Sequence, residues 1–189
     1  MTNGPGGPNG APVPPFSFQE EQDGGTSAKI LVRDDTKRVW EMKWGEEVKA
    51  EPFASRIAWA AGYIVETEYY IPSGTIENVG ALKRAAADIN RGEGNAFKNA
   101  RFELRDENVQ LTTMKPWRLD QNPFAGTNEL QGLKIVSMLV SNWDLKDPRA
   151  SDGAFILGRM ADHTANAGRV YFPAGTPDPD DVAGGHLDL

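Results

Sequence analysis

The sequence predicts an α+β fold with two unequal lobes, and three observations carry that prediction. Short runs such as KILVR, RVWEMKW and RFELR alternate apolar and polar residues with the two-residue period of strands. Ala54, Ile57, Ala58 and Ala61 recur at the spacing of one helix face. The apolar run GLKIVSMLV, preceded by a capping residue, has the signature of a buried helix. The order is hairpin, helix, strands, and then a mostly helical region, so strands and helices are segregated along the chain.

Taken in order, residues 1–28 are rich in Gly, Pro and polar side chains. Such a composition buries too little surface to offset the entropy of ordering, and it predicts a flexible arm in which Phe16 and Phe18 offer a short docking point. Lys29 to Arg33 and Arg38 to Trp44 read as a hairpin joined by Asp34, Asp35, Thr36 and Lys37. In the second strand Trp40, Met42 and Trp44 share the core face, and Lys43 points the other way. A helix follows, with Pro52 in its first turn and Gly62 at its end. Tyr63 to Ile71 reads as a strand closed by a Pro72-Ser73-Gly74 turn. Residues 76–90 look helical with weak periodicity. Arg101 to Arg105 is a strand, and residues 107–125 are irregular. Thr127 is an N-cap for a helix over 128–141, whose apolar side chains suit burial on most sides. The end, PAGTPDPDDVAGGHLDL, has the composition of the first 28 residues.

Composition removes several functions. A net charge of −7 argues against nucleic acid or an anionic membrane as the main partner. The absence of cysteine excludes disulfides, thiolate chemistry and cysteine zinc sites. No apolar run approaches the length of a membrane span. The first residues lack the charged and apolar regions of a signal peptide, so the chain as written reads as cytoplasmic by default. There is no G-x-S-x-G nucleophile turn and no G-x-x-x-x-G-K-[ST] phosphate loop. GEGNAF at 92–97 lacks the third glycine of a dinucleotide fingerprint and reads as a loop. The two histidines, His163 and His186, stand in poorly patterned sequence.

A dispersed set of polar residues remains: Lys43 on a strand, Glu47 or Glu51 at the start of the next helix, and Asn142 and Asp144 after the buried helix. Phosphoryl transfer uses groups of these kinds. A cation holds nucleotide phosphates, an acid orients that cation, and carboxylates hold magnesium or accept the substrate proton. Each also has a structural reading. A lysine on an open strand face is ordinarily solvated, acids in a first helical turn are favoured by the dipole, and Asp144 can end a helix through local hydrogen bonds.

The stretches KWGEEVKAEPFASRIAWAAGY, ARFELRD and NPFAGTNELQGLKIVSMLVSNWDLKD resemble an uncharacterised family of bacterial proteins over residues 29–148. That family in turn resembles atypical kinases of the HipA, spore-coat and secretory-pathway types. The resemblance implies a kinase-like N-lobe, an antiparallel sheet plus one helix, over residues 29–106. An incomplete, mostly helical C-lobe follows over 107–160, and an acidic low-complexity tail over 161–189. It implies ATP and magnesium as cofactors, and a protein or small molecule as phosphoacceptor. Lys43 matches the phosphate-contacting lysine and Glu51 its helix partner, with Glu47 as a rival because Pro52 biases Glu51 away from helical geometry. Asn142 and Asp144 match the catalytic loop, Asp144 also serving as a metal ligand, and Asp152 matches the second metal-binding Asp.

The sequence departs from that pattern in four places. Asp152 stands only eight residues beyond Asp144, without the strands and loop the pattern has between them. Arg149 stands where the metal-binding Asn belongs. The turn 34–37 has no glycine to bring amides to phosphates, leaving Thr36 and Lys37 for that task. The helices of a full C-lobe do not follow, which predicts a truncated chain. Three expectations result: an ATP- and magnesium-dependent phosphotransferase, a catalytically inactive kinase-like binding module, or a fragment with exposed apolar surface on helix 128–141.

Overall fold

The computed structural model describes residues 4–25, 27–63, 65–105, 109–111, 125–140 and 171–173. The fold is α+β, and the chain divides into two units, residues 1–56 with 66–106, and residues 57–65 with 107–189.

The first unit is a closed barrel of five strands, not the kinase-like N-lobe, an antiparallel sheet plus one helix, that the sequence resemblance implied. Strands β1 (Phe16–Gln22), β2 (Lys29–Arg33) and β3 (Val39–Lys43) form a meander, helix α1 (Ala50–Ala60) follows, and β4 (Glu68–Glu77) leads to β6 (Ala96–Arg105) by way of the two-residue β5 (Ile89–Asn90). Strand order is β3-β2-β1-β4-β6-β5, and β6 pairs again with β3 to close the ring. The β2–β3 hairpin has the expected pairing, Lys29 opposite Lys43 and Arg33 opposite Val39. Closure requires a parallel contact, Phe16 with Ile76 and Ser17 with Glu77, which no local hairpin signal announces.

Closure depends on a bend in the β4–β6 hairpin. Before Pro72, Tyr69 and Ile71 pack on the core; after it, Ile76 does. On β6 the inward face changes between Phe97 and Ala100, and Asn99 lies between them with φ 51°. Asn tolerates that left-handed backbone better than most residues. The Pro72-Ser73-Gly74 segment is therefore strand and not turn. The pairing Ile71–Ala100 resumes as Ser73–Lys98, so the ladder skips Pro72, which has no N–H to donate to it. A Cβ on Gly74 would lie 2.8 Å from the Phe97 ring, so glycine there makes room for an aromatic.

The predicted flexible arm is another correction. Phe16 is 3% exposed, with its ring centroid 4.9 Å from that of Phe102. Trp40, Tyr69 and Phe97 extend this aromatic interior. Upstream, Arg38 donates to the Gly10 and Ala11 carbonyls at 2.8 and 2.7 Å, and the Val13 N–H donates to Asp34 at 3.3 Å. Composition misjudged the segment because a few large aromatics outweigh many glycines once a sheet offers them a core. The helix predicted over 76–90 is also absent. β4 runs to Glu77, and only a single 3-10 turn forms at Ala85–Ala87, with Ala85 fully buried. Tertiary pairing overrides the helix propensity of that Ala-rich stretch.

In the second unit, α2 (Asn128–Leu139) begins at the expected cap, with Thr127 Oγ1 accepting from the Leu130 N–H at 3.2 Å. Tyr63 donates to the Glu129 carbonyl at 2.8 Å, and its hydroxyl would lie 2.6 Å from a Cβ on Gly132. Leu130, Leu133 and Ser137 are buried, whereas Ile135, Met138 and Leu139 are 66%, 79% and 72% exposed. The helix is therefore covered on one side, not on most. Strands β7 (Val109–Leu111) and β8 (Tyr171–Pro173) form a small antiparallel pair. Among the described residues, no helix is long and apolar enough to cross a membrane.

Candidate functional site

Alternation along β2, β3 and β6 sends Ile30, Val32, Trp40, Met42 and Phe102 into the barrel, and therefore sends Lys29, Glu41, Lys43, Arg101, Glu103 and Arg105 to its outer face. Glu68 joins them from β4. Register places like charges directly opposite, Lys43 against Arg101 and Glu41 against Glu103. Such pairs repel, so the ion pairs form along diagonals and along single strands. Arg101 reaches Glu68 at 2.7 Å, Glu103 at 2.8 Å and Glu41 at 3.4 Å. Arg105 pairs with Glu41 and, at 3.6 Å, with Glu103, while Lys29 lies 3.8 Å from Glu41.

Helix α1 completes this layer. Its buried stripe is Glu51, Ala54, Ser55 and Ala58, so the acid belongs to the stripe that apolar spacing placed at Ala54, Ile57, Ala58 and Ala61. Ala61 is exposed. Ser55 fixes the helix by donating to the Glu66 carbonyl at 2.8 Å. Pro52 does not expel Glu51 from the helix, because a proline in the first turn lacks only an N–H that has no intrahelical acceptor. Glu51 consequently points at β3, where its Oε1 accepts from Lys43 Nζ at 2.7 Å and its Oε2 lies 2.8 Å from Arg101. The rival Glu47 stands farther off, at 3.4 Å. Lys43 is 1% exposed, so the solvated lysine of the structural reading does not occur.

Acids outnumber bases in this layer, and the protonation energetics follow. Burial pushes the Glu68 carboxyl well above the usual carboxylate range, and the neighbouring Glu51, Glu66 and Glu103 push it the same way against Arg101. Its Oε2 is buried without a hydrogen-bond partner. Burial opposes the charge on Arg101, but Glu68, Glu103 and Glu51 outweigh it, so the guanidinium is held firmly charged. Burial also opposes the charge on Glu41, but Arg105, Lys29 and Arg101 together hold its carboxyl below the ordinary value.

Of the sequence-predicted site residues, Lys43, Glu51 and Glu47 come together; Asn142, Asp144 and Asp152 lie outside the described residues. The turn 34–37 is at the wrong end of its hairpin for a phosphate loop. It follows Arg33, whereas Lys43 pairs with Lys29, roughly 13 Å away at about 3.3 Å per residue. Thr36 is moreover committed to Asp34 at 2.6 Å. The connection that does lie at the Lys43 end joins β1 to β2 and contains Asp23, Gly24, Gly25, Ser27 and Ala28. The Trp44 N–H donates to the Ala28 carbonyl at 3.2 Å, and Ser27 Oγ lies 3.5 Å from where a Cβ on Gly45 would stand. Sequence reasoning missed this glycine pair by assigning it to a flexible arm; the alternation FSF, four residues ahead of DGG, was the available signal.

Glu66, Glu68 and Glu103 each bring a carboxylate oxygen within 4.8 Å of the others. They do not fit magnesium. Arg101 already bonds Glu68 and Glu103, and an ion about 2.1 Å from their oxygens would press against that guanidinium. Comparison with protein-family models, with curated proteins and with solved structures finds no match.

Proposed function

We propose that this chain is an atypical kinase-like protein whose barrel unit binds ATP and which transfers phosphate, with magnesium, to a protein or small-molecule acceptor. One observation carries the reading: Lys43 on the third strand is bonded at 2.7 Å to Glu51 in the first turn of the following helix. A strand lysine oriented by a helix glutamate is what a kinase needs to hold nucleotide phosphates. The closed barrel departs from a kinase N-lobe sheet, so the reading rests on the lysine–glutamate pair and not on the fold. The glycine pair in the β1–β2 connection lies at the Lys43 end and supplies the amide-rich segment that turn 34–37 lacks. Asn142, Asp144 and Asp152 keep the catalytic-loop and metal roles that the sequence resemblance implies, and magnesium would neutralise phosphate charge when bound.

A second reading has its own support. Lys43 is enclosed, Arg101 holds the other oxygen of Glu51, and Arg149 replaces the metal-binding Asn. These features favour a catalytically inactive kinase-like binding module. Calorimetric titration with Mg-ATP, with a phosphate-release assay alongside, separates the two. Wild type should bind and turn over, Lys43→Met should bind at least about tenfold more weakly, and Asp144→Asn should bind without turnover. Binding with equal turnover in wild type and Asp144→Asn would remove Asp144 from the chemistry, and binding without any turnover would favour the module.

A further inference from the structure

The β1–β2 connection is held by a brace that neither the resemblance nor the ion-pair layer explains. The Arg84 guanidinium donates to three successive backbone carbonyls, Asp23 at 2.8 Å, Gly24 at 3.2 Å and Gly25 at 2.9 Å. Arg84 is itself fixed from the other side. The Glu21 carboxylate, at the end of β1, accepts from the N–H groups of Lys83, Arg84 and Ala85 at 2.7, 2.8 and 2.7 Å. The two segments therefore grip each other, one through carbonyls and the other through amides.

The grip orients the loop. In a planar trans peptide the carbonyl and the following N–H point in opposite directions. With the Asp23 and Gly24 carbonyls drawn to Arg84, the Gly24 and Gly25 N–H groups face away from it. Neither donates to an acceptor among the described residues. Asp23, Gly24 and Gly25 are exposed, a Cβ on Gly24 would meet nothing within 4 Å, and Gly25 has φ 75°, a backbone that suits glycine. Adjacent backbone N–H groups with an open face present a partial positive charge to an anion.

We infer that Arg84 is a positioning residue: it holds residues 23–25 so that their amides face the nucleotide phosphates. This rests on the reading of the barrel unit as an ATP site. The test joins hydrogen–deuterium exchange over residues 22–28 with titration of Mg-ATP and of adenosine, on wild type, Arg84→Ala and Glu21→Gln. Arg84→Ala should speed exchange at Gly24 and Gly25 about tenfold and weaken Mg-ATP about tenfold, the value of one charge-assisted hydrogen bond, with adenosine affinity within about twofold. Glu21→Gln should shift the same readouts in the same direction by less, and saturating Mg-ATP should slow exchange in wild type. Unchanged exchange, equal Mg-ATP affinity, or parallel loss of ATP and adenosine would each overturn the role of Arg84. If wild type binds no Mg-ATP although Arg84→Ala loosens the loop, the ATP reading fails and the brace is structural only.

Discussion

Replacing Arg101 by Met tests how the site is held. The side chain is 1% exposed and serves Glu68, Glu103, Glu51 and Glu41. Met conserves much of the volume and removes the charge, leaving several acids against a single lysine near α1. Removing one partner of a buried pair costs about 3–5 kcal/mol. Proton uptake caps that cost, because a stranded carboxylate escapes its charge by taking up a proton. From an ordinary value of about 4.3, at about 1.4 kcal/mol per pH unit, that costs about 4.4 kcal/mol at pH 7.5 and about 1 kcal/mol at pH 5.0. The Glu68 carboxyl is already raised in the folded state and loses in Arg101 the group that lowers it, so the stability of the variant is best retained at low pH and lost as pH rises through that value. Urea unfolding at the two pH values should therefore show a loss of about 4 kcal/mol at pH 7.5 that shrinks by at least about 2 kcal/mol at pH 5.0. A loss under about 1 kcal/mol, or one independent of pH, would refute the buried-lattice account.

Three further outcomes follow from the same geometry. Glu68→Gln should match wild type at low pH and become more stable than it, by about 1 kcal/mol, as pH rises: the raised carboxyl of the wild type loses its folded-state advantage on ionising, and the amide does not. Melting curves across pH 5–8 measure the crossover. Gly74→Ala should cost about 1–3 kcal/mol in urea unfolding, because its Cβ would stand 2.8 Å from Phe97. Phe16→Ala should cost about 3–5 kcal/mol, a large part of the stability of a small domain, whereas a residue in a free arm would cost nothing measurable.

Local signals in the sequence predicted local structure. The β2–β3 hairpin, the Thr127 cap and the opposed faces of Trp40 and Lys43 all follow from nearest-neighbour chemistry, and the structure has each. The parallel Phe16–Ile76 contact was not legible, because strand closure over that separation leaves no local mark. The Ala-rich stretch at 85–87 and the Pro72-Ser73-Gly74 segment misled for the same reason: pairing with neighbouring strands outweighs intrinsic propensity. The resemblance matched Lys43 with Glu51 and kept Glu47 as a rival, because order along the chain alone left the two glutamates open. Arg101 was not legible, because a charged residue at an alternate strand position reads as solvated, and only the barrel and α1 together bury it among four glutamates.

The proposed reading has the Lys43–Glu51 pair hold a nucleotide. Titrating Mg-ATP into wild type, Lys43→Met and Glu51→Gln, with each variant first shown to melt cooperatively, tests it most directly. Wild type should bind saturably, and each variant should lose at least about tenfold in affinity. Wild-type protein that binds no Mg-ATP, or variants that bind as wild type does, would contradict that reading.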